Sequence, residues 1–192
     1  MRRFSLAIGV LGLGVSLAGA QATTWAIDPA HSAVEFGIRH MGLSTVHGHF
    51  GNVKGTIVFD EANVSKSSVN VTIDVTTVDT GNSARDNHLK TDAFFDIAHF
   101  PSATFVSTSV SQNGSHLTVN GNLTLRGVSK PVVLDAVPSG APVQSAMDHK
   151  MHVGYSATTA VKRLDFGIGI GFSAAALGED VPLTIDLEAV KQ

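Results

Sequence analysis

Cysteine is absent from this chain. No disulfide can brace the fold, no thiolate can hold a metal, and an export signal here cannot carry a lipid-anchoring cysteine. Tryptophan and tyrosine occur once each. That argues against an outer-membrane barrel, which needs girdles of such residues at both interfaces. Charge is sparse too: 15% of residues are charged and the net charge is -3, which argues against a nucleic-acid partner and its basic surface. The motifs HExxH and GxSxG are missing, as are Walker and Rossmann glycine patterns; Gly167, Gly169 and Gly171 lack the strand-then-helix setting that such loops need. There is no low-complexity tract and no repeat of solenoid length.

What is present begins with a leader. Arg2-Arg3 precede an apolar stretch from Phe4 to Leu17, and Ala20-Gln21-Ala22 is an A-x-A cleavage site. This pattern predicts a secretory signal peptide over residues 1–22, too short to span a membrane. Cleavage after Ala22 is expected, with Ala20 as the alternative. Residues 23–192 then form one domain, large enough to bury a sizeable core. Its stability must come from packing and sheet hydrogen bonds.

Period-two alternation dominates that domain. Val34, Phe36 and Ile38 oppose Glu35, Gly37 and Arg39; Val69, Val71, Ile73 and Val75 oppose Asn70, Thr72, Asp74 and Thr76. Similar strands are predicted near residues 25–27, 103–110, 117–125, 132–137, 151–161 and 181–187. Residues 46–50 and 53–59 read as one strand bent at Gly51-Asn52. Asn113-Gly114 is a hairpin turn, a second turn is expected over 127–130, and the Gly- and Ala-rich run 165–178 reads as a loop over one rim. Eight or nine strands with short connections must be antiparallel. Composition does not choose between a sandwich and a barrel.

One segment breaks the pattern. Thr80-Gly81-Asn82 is turn chemistry, and a helix is expected over 83–91. Ser83 is its predicted N-cap, with Asp86 completing a capping box and pairing with Lys90. Arg85 and His88 share a helical face, and Phe94-Phe95 follow as an apolar plug. The segment is either a strand connector anchored by its two Phe or a lid with a cationic spot over an open end.

Two other constellations invite chemistry. His47 and His49 point the same way from a strand, and His31, His40, His149 or His152 could complete a metal site; surface histidines are the competing reading. Arg163 and Asp165 place a base and an acid on one strand face, as a rim ion pair or as the one candidate acid–base pair.

Several stretches then match one family. Asp28-Pro29-Ala30-His31-Ser32, Phe36 to Ser44, Gly48-His49-Phe50, Asp79-Thr80-Gly81 through Phe94-Phe95-Asp96, Phe100-Pro101, Gly121 to Gly127 and Arg163 to Gly167 together resemble the YceI-like family of periplasmic polyisoprenoid-binding proteins. His47 departs from the pattern, where Arg is expected; a histidine is mostly neutral at neutral pH. The resemblance implies an all-β fold, an eight-stranded antiparallel lipocalin-like barrel with the short helix in its 83–91 connection. It implies a carrier holding a long isoprenoid or similar amphiphilic lipid, needing no cofactor and touching the membrane transiently. A homodimer stays open. An enzyme acting on an isoprenoid or quinone precursor and a His-based metal-binding stress protein are the alternatives.

Face and spacing supply the expected site. The apolar pore set is Val34, Phe36, Ile38, Val71, Ile73, Phe105, Leu123, Val153 and Leu183, with Phe94 and Phe95 beside it. The polar rim set is His40, Arg85, His88 and Arg163. Each buried tail carbon is worth ~0.8 kcal/mol, so a tail of several isoprene units should survive purification yet exchange with membranes.

Overall fold

The computed structural model describes residues 22–192. The expected leader lies outside the described residues, apart from Ala22. Eleven strands form: β1 (Thr23–Ile27), β2 (Ala33–His40), β3 (Ser44–Phe50), β4 (Lys54–Phe59), β5 (Ser68–Asp74), β6 (Ser102–Asn113), β7 (His116–Leu125), β8 (Val128–Pro138), β9 (Val143–Gln144), β10 (Met151–Lys162) and β11 (Asp180–Lys191). One helix, α1 (Ser83–Leu89), lies between β5 and β6.

The ring is simpler than the count. β1 pairs with β4, β2 pairs with β3, and β1 and β2 both run along β11. So β1 and β2 are two halves of one stave, and β3 and β4 are two halves of the next. With β5, β6, β7, β8, β10 and β11 they make an eight-stranded antiparallel barrel, closed where β11 pairs with β10 on one side and with β1 and β2 on the other. Apart from a bridge between His49 and Asp79, β3 pairs on one side only, with β2.

Both double staves break where the residues cannot hold a ladder. Gly51-Asn52 was expected to bend one, and Asn52 takes φ 52° there, a left-handed conformation that Asn tolerates. The other break, at Asp28-Pro29, is bridged by side chain: the Ser32 hydroxyl accepts from Glu188 N at 3.1 Å, and Asp28 N donates to Glu188 O at 2.8 Å. The β7–β8 turn falls at Arg126-Gly127, not over 127–130. Both residues have positive φ, 49° and 71°, the two-residue turn whose twist suits a hairpin.

The two ends of the barrel differ. At the base, Trp25, Ile27, Val153 and Ala189 are buried. At the other end lie the two longest connections: the 75–101 segment with α1, and residues 163–179, which begin with a 3-10 turn over Arg163–Phe166.

The helix is shorter than expected and capped differently. Asn82, not Ser83, is the N-cap; its side chain accepts from Arg85 N at 3.0 Å. Asp86 does not complete a capping box. Its Oδ1 accepts from Thr80 N at 2.9 Å and from the Thr80 hydroxyl at 2.5 Å, so it ties the helix back to the preceding turn.

Candidate functional site

The lumen holds two apolar chambers. The larger, about 620 Å³, lies at the helical end; the smaller, about 100 Å³, lies toward the base. Val34, Ile73, Leu123 and Leu183 line both and form a waist between them. Interiors rarely contain voids larger than a water molecule. Held sealed and empty, the larger chamber would cost on the order of 15 kcal/mol at the usual penalty per unit of cavity volume, comparable to a whole domain's stability. A space of this size is a candidate site, and it falls within the range of small-molecule pockets.

One glycine makes room for a ring in the wall of each chamber, Gly48 for Phe36 in the larger and Gly121 for Phe105 in the smaller. A Cβ on Gly48 would stand 2.4 Å from Phe36 Cζ, and one on Gly121 would stand 2.3 Å from Phe105 Cζ. Each Phe ring lies against bare backbone on the neighbouring strand, so it covers the wall instead of crossing the lumen.

The segment 80–95 lies over the larger chamber. Arg85, His88, Leu89, Phe94 and Phe95 all line it, which makes the segment a lid. Its aromatics interlock with the wall and the opposite loop: Phe95 meets Phe50 edge-on at 5.3 Å, and Phe94 packs on Phe172 at 5.5 Å and on His88 at 5.0 Å. Gly169 N donates to Ala93 O at 2.9 Å. Arg126, from the β7–β8 turn, donates to the carbonyls of Asp92 and Gly167 and so clamps lid and loop together.

Polar groups gather at this mouth. Arg85 donates through Nε to the Thr80 hydroxyl at 2.7 Å and through Nη2 to Thr80 O at 2.8 Å. Thr80 is itself held by Asp86, so the guanidinium is oriented in two steps. Its Nη1 amine has no hydrogen-bond partner among the described residues. His40 and His88 line the chamber and are exposed. Tyr155 lines the smaller chamber, and burial pushes its phenol above the ordinary pKa.

Most expected pore residues meet here. Val34, Phe36, Ile38, Ile73, Phe94, Phe95, Leu123 and Leu183 line the larger chamber, while Val71 and Phe105 line the smaller. Val153 lines neither; it is buried at the base, opposite Ala189. The alternation of β10 put it on the inner face, but depth along the barrel has no sequence period.

Arg163 departs further from expectation. It is 2% exposed, and all five guanidinium N–H groups are taken by carbonyls: Gly178 at 2.9 Å, Ile168 at 3.0 Å, Gly169 at 2.6 Å, Phe172 at 2.8 Å and Leu177 at 3.0 Å. It organises the 167–178 loop and has no donor left for a ligand head. Asp165 does not share a strand face with it. The two stand in a 3-10 turn, and Asp165 is exposed. His47 and His49 lie on the outer wall, exposed.

The sequence reading missed Phe166, Ile168, Phe172 and Leu177, all in the loop after β10 and all lining the larger chamber. It also missed Val46 and Phe50, although their alternation with His47 and His49 was a usable signal.

Comparison with known proteins agrees with this architecture. A family model described as YceI-like domain matches residues 25–189. The curated Protein YceI of Salmonella arizonae is 38% identical over 194 residues, covering 100% of both chains. Among solved structures, the YceI protein of Campylobacter jejuni superposes with a TM-score of 0.71 at 29% identity, covering 100% of this chain and 99% of that one. Burkholderia cenocepacia BcnA gives 0.72 at 23% identity over 84% of this chain and 98% of that one, a likeness of fold. A domain from Saccharophagus degradans described as polyisoprenoid-binding gives 0.64 at 18% identity, covering 88% and 99%, again a likeness of fold. A barrel closed in the same way, a family match over nearly the whole described chain and end-to-end relatives together place this chain in the YceI-like family.

Proposed function

We propose that this protein is a periplasmic carrier that takes up a long isoprenoid or similar amphiphile, tail inward and head at the mouth. One observation carries the reading: a two-chamber hydrocarbon lumen whose polar side chains, the Arg85 guanidinium among them, gather at one end. Such a cavity matches a molecule with an oily body and one polar tip. The tail enters the larger chamber and passes the waist; the head sits beside Arg85, His40 and His88. The leader pattern at the N-terminus supports export to the periplasm. The description of the Saccharophagus degradans domain as polyisoprenoid-binding fits the same cargo.

Binding rather than turnover is the role proposed. Asp165, the one acid expected to pair with Arg163, faces solvent, and Arg163 is committed to carbonyls. Exchange would occur at a membrane. Met41 and Leu43 at one lip of the mouth are 58% and 80% exposed, and Ile170 in the facing loop is 73% exposed. Apolar tips flanking a lipid entrance suit shallow contact with a bilayer.

The test is organic extraction of the purified protein followed by mass spectrometry. The expected result is an isoprenoid or comparable single-headed amphiphile in near-stoichiometric amount, depleted in a Leu123→Trp variant that blocks the waist. Protein that folds but yields no lipid, and takes none up from vesicles, would overturn the reading.

A further inference from the structure

A second cluster of functional side chains lies far from the mouth, on the outer wall near the base. It joins three distant stretches of chain. Asp28 and His31 flank the β1–β2 break, His152 opens β10, and Glu188 lies near the end of β11. Asp28, His31 and Glu188 each bring one ligand atom within 4.8 Å of the others. His31 Nδ1 is 2.9 Å from Asp28 Oδ2, and His152 Nδ1 is 2.7 Å from Glu188 Oε1. His152 Nε2 stands 3.1 Å from Asp148 Oδ2.

We propose that Asp28, His31, His152 and Glu188 form a binding site for one divalent transition cation of the zinc class, with Asp148 supporting His152 from behind. Zinc bonds to imidazole nitrogen and carboxylate oxygen at roughly 2.0–2.2 Å, so tetrahedral ligand atoms stand roughly 3.3 Å apart. The two His–carboxylate contacts are a few tenths of an ångström shorter than that. One ion would replace both shared protons; Asp28, His31 and Glu188 already converge, and His152 must swing in from its contact with Glu188 to join them. The exposed ligands can move, since the His31 side chain is 65% exposed and that of Glu188 36%.

The donor set selects the cation. Two imidazoles with two carboxylates suit zinc, nickel or copper, whereas calcium and magnesium want oxygen alone. Two carboxylates also balance a double positive charge. If His152 ligates through Nδ1, its Nε2–H donates to Asp148, the carboxylate–histidine–metal arrangement that sets the tautomer and raises ligand basicity. The scaffold is already fixed at both ends: Ser32 and Asp28 N bond to the backbone of Glu188, and His152 and Glu188 lie on paired strands. A bound ion would staple the broken first stave to β10 and β11. His47 and His49, the pair that sequence spacing favoured, are not in this group.

Isothermal titration of chelator-treated protein with zinc tests the site. The expected result is one equivalent bound, with affinity lowered at least about tenfold in His31→Ala and in His152→Ala, and about tenfold in Asp148→Asn. A His47→Ala/His49→Ala variant should bind as the parent does. Glu188→Gln keeps the shape of the seam and serves as a ligand deletion if an alanine variant fails to fold. Zinc should also raise the melting temperature of the parent and leave that of Glu188→Gln nearly unchanged. Absence of stoichiometric binding, or binding that persists unchanged in the folded His31, His152 and Glu188 variants, would overturn the proposal. Neither outcome depends on whether the lumen holds lipid.

Discussion

The two ends of this barrel solve opposite problems with the same strands. At the base, side chains from β1, β10 and β11 are buried and only the smaller chamber remains; the connections there include a two-residue hairpin loop. At the mouth the strands enclose a chamber they do not fill, and two of the connections, 75–101 and 163–179, are long. Irregular backbone near a cavity leaves carbonyls and amides without ladder partners. Here side chains supply them: Arg163 and Arg126 for the 167–178 loop and lid, Asp86 and Thr80 for the turn before α1. The base is stabilised by packing and the mouth by polar fastening, so the two ends should respond differently to mutation.

The sharpest way to break this contrast is at Arg163. Arg163→Ala strips five carbonyls of their donor and should cost on the order of 3–5 kcal/mol. Chemical denaturation would measure it. A comparably large loss of lipid with no loss of stability would instead put the side chain in the binding role. Next in size is the waist. Leu123→Trp should exclude long tails yet still admit short ones to the larger chamber, read by mass spectrometry of lipids extracted after loading.

A smaller effect is expected at the lip. Arg85→Ala should weaken retention of an anionic-headed amphiphile by about tenfold, the worth of one hydrogen bond to a charged group, with little change for a neutral one. Equal loss of both would assign Arg85 to holding the lid. The helix cap gives a finer test. Asn82→Ala should cost about 1 kcal/mol, and Ser83→Ala nearly nothing, because only Asn82 bonds to the first turn. The smallest signal comes from Tyr155. Its pKa is raised by burial, so the neutral phenol favours the folded state. That contribution is complete below the ordinary tyrosine value of about 10 and fades as pH climbs through the raised one. An ultraviolet titration should show this single phenol ionising late, and later still with lipid bound.

The sequence made the walls legible because a half-buried strand must alternate. β2, β5, β7 and β11 were readable in this way, and so were most of the side chains that face the lumen. The lid helix was visible as a break in that period. Depth along the barrel was not readable, which is why Val153 joined the expected pore yet lies at the base. Nor was the loop after β10: Phe166 and Phe172 reach the cavity through turns shaped by Arg163, and nothing in their spacing shows an arginine coordinating carbonyls. Asn82 and Ser83 are equally good caps by composition. In the fold Asn82 makes the cap bond, while Asp86 bonds to Thr80 instead of completing a box with Ser83. Closure into a ring depends on pairing the first stave with the last strand, a contact between opposite ends of the domain that no local pattern encodes.

The waist has a consequence for what the protein can discriminate. Four branched aliphatic side chains set a threshold partway down the tube, with ample volume before it and little after. A short cargo never feels that threshold, whereas a long one must thread it to hide its terminus. The barrel would then work as a length gauge, grading amphiphiles by how far they reach and leaving the judgement of their heads to the lip.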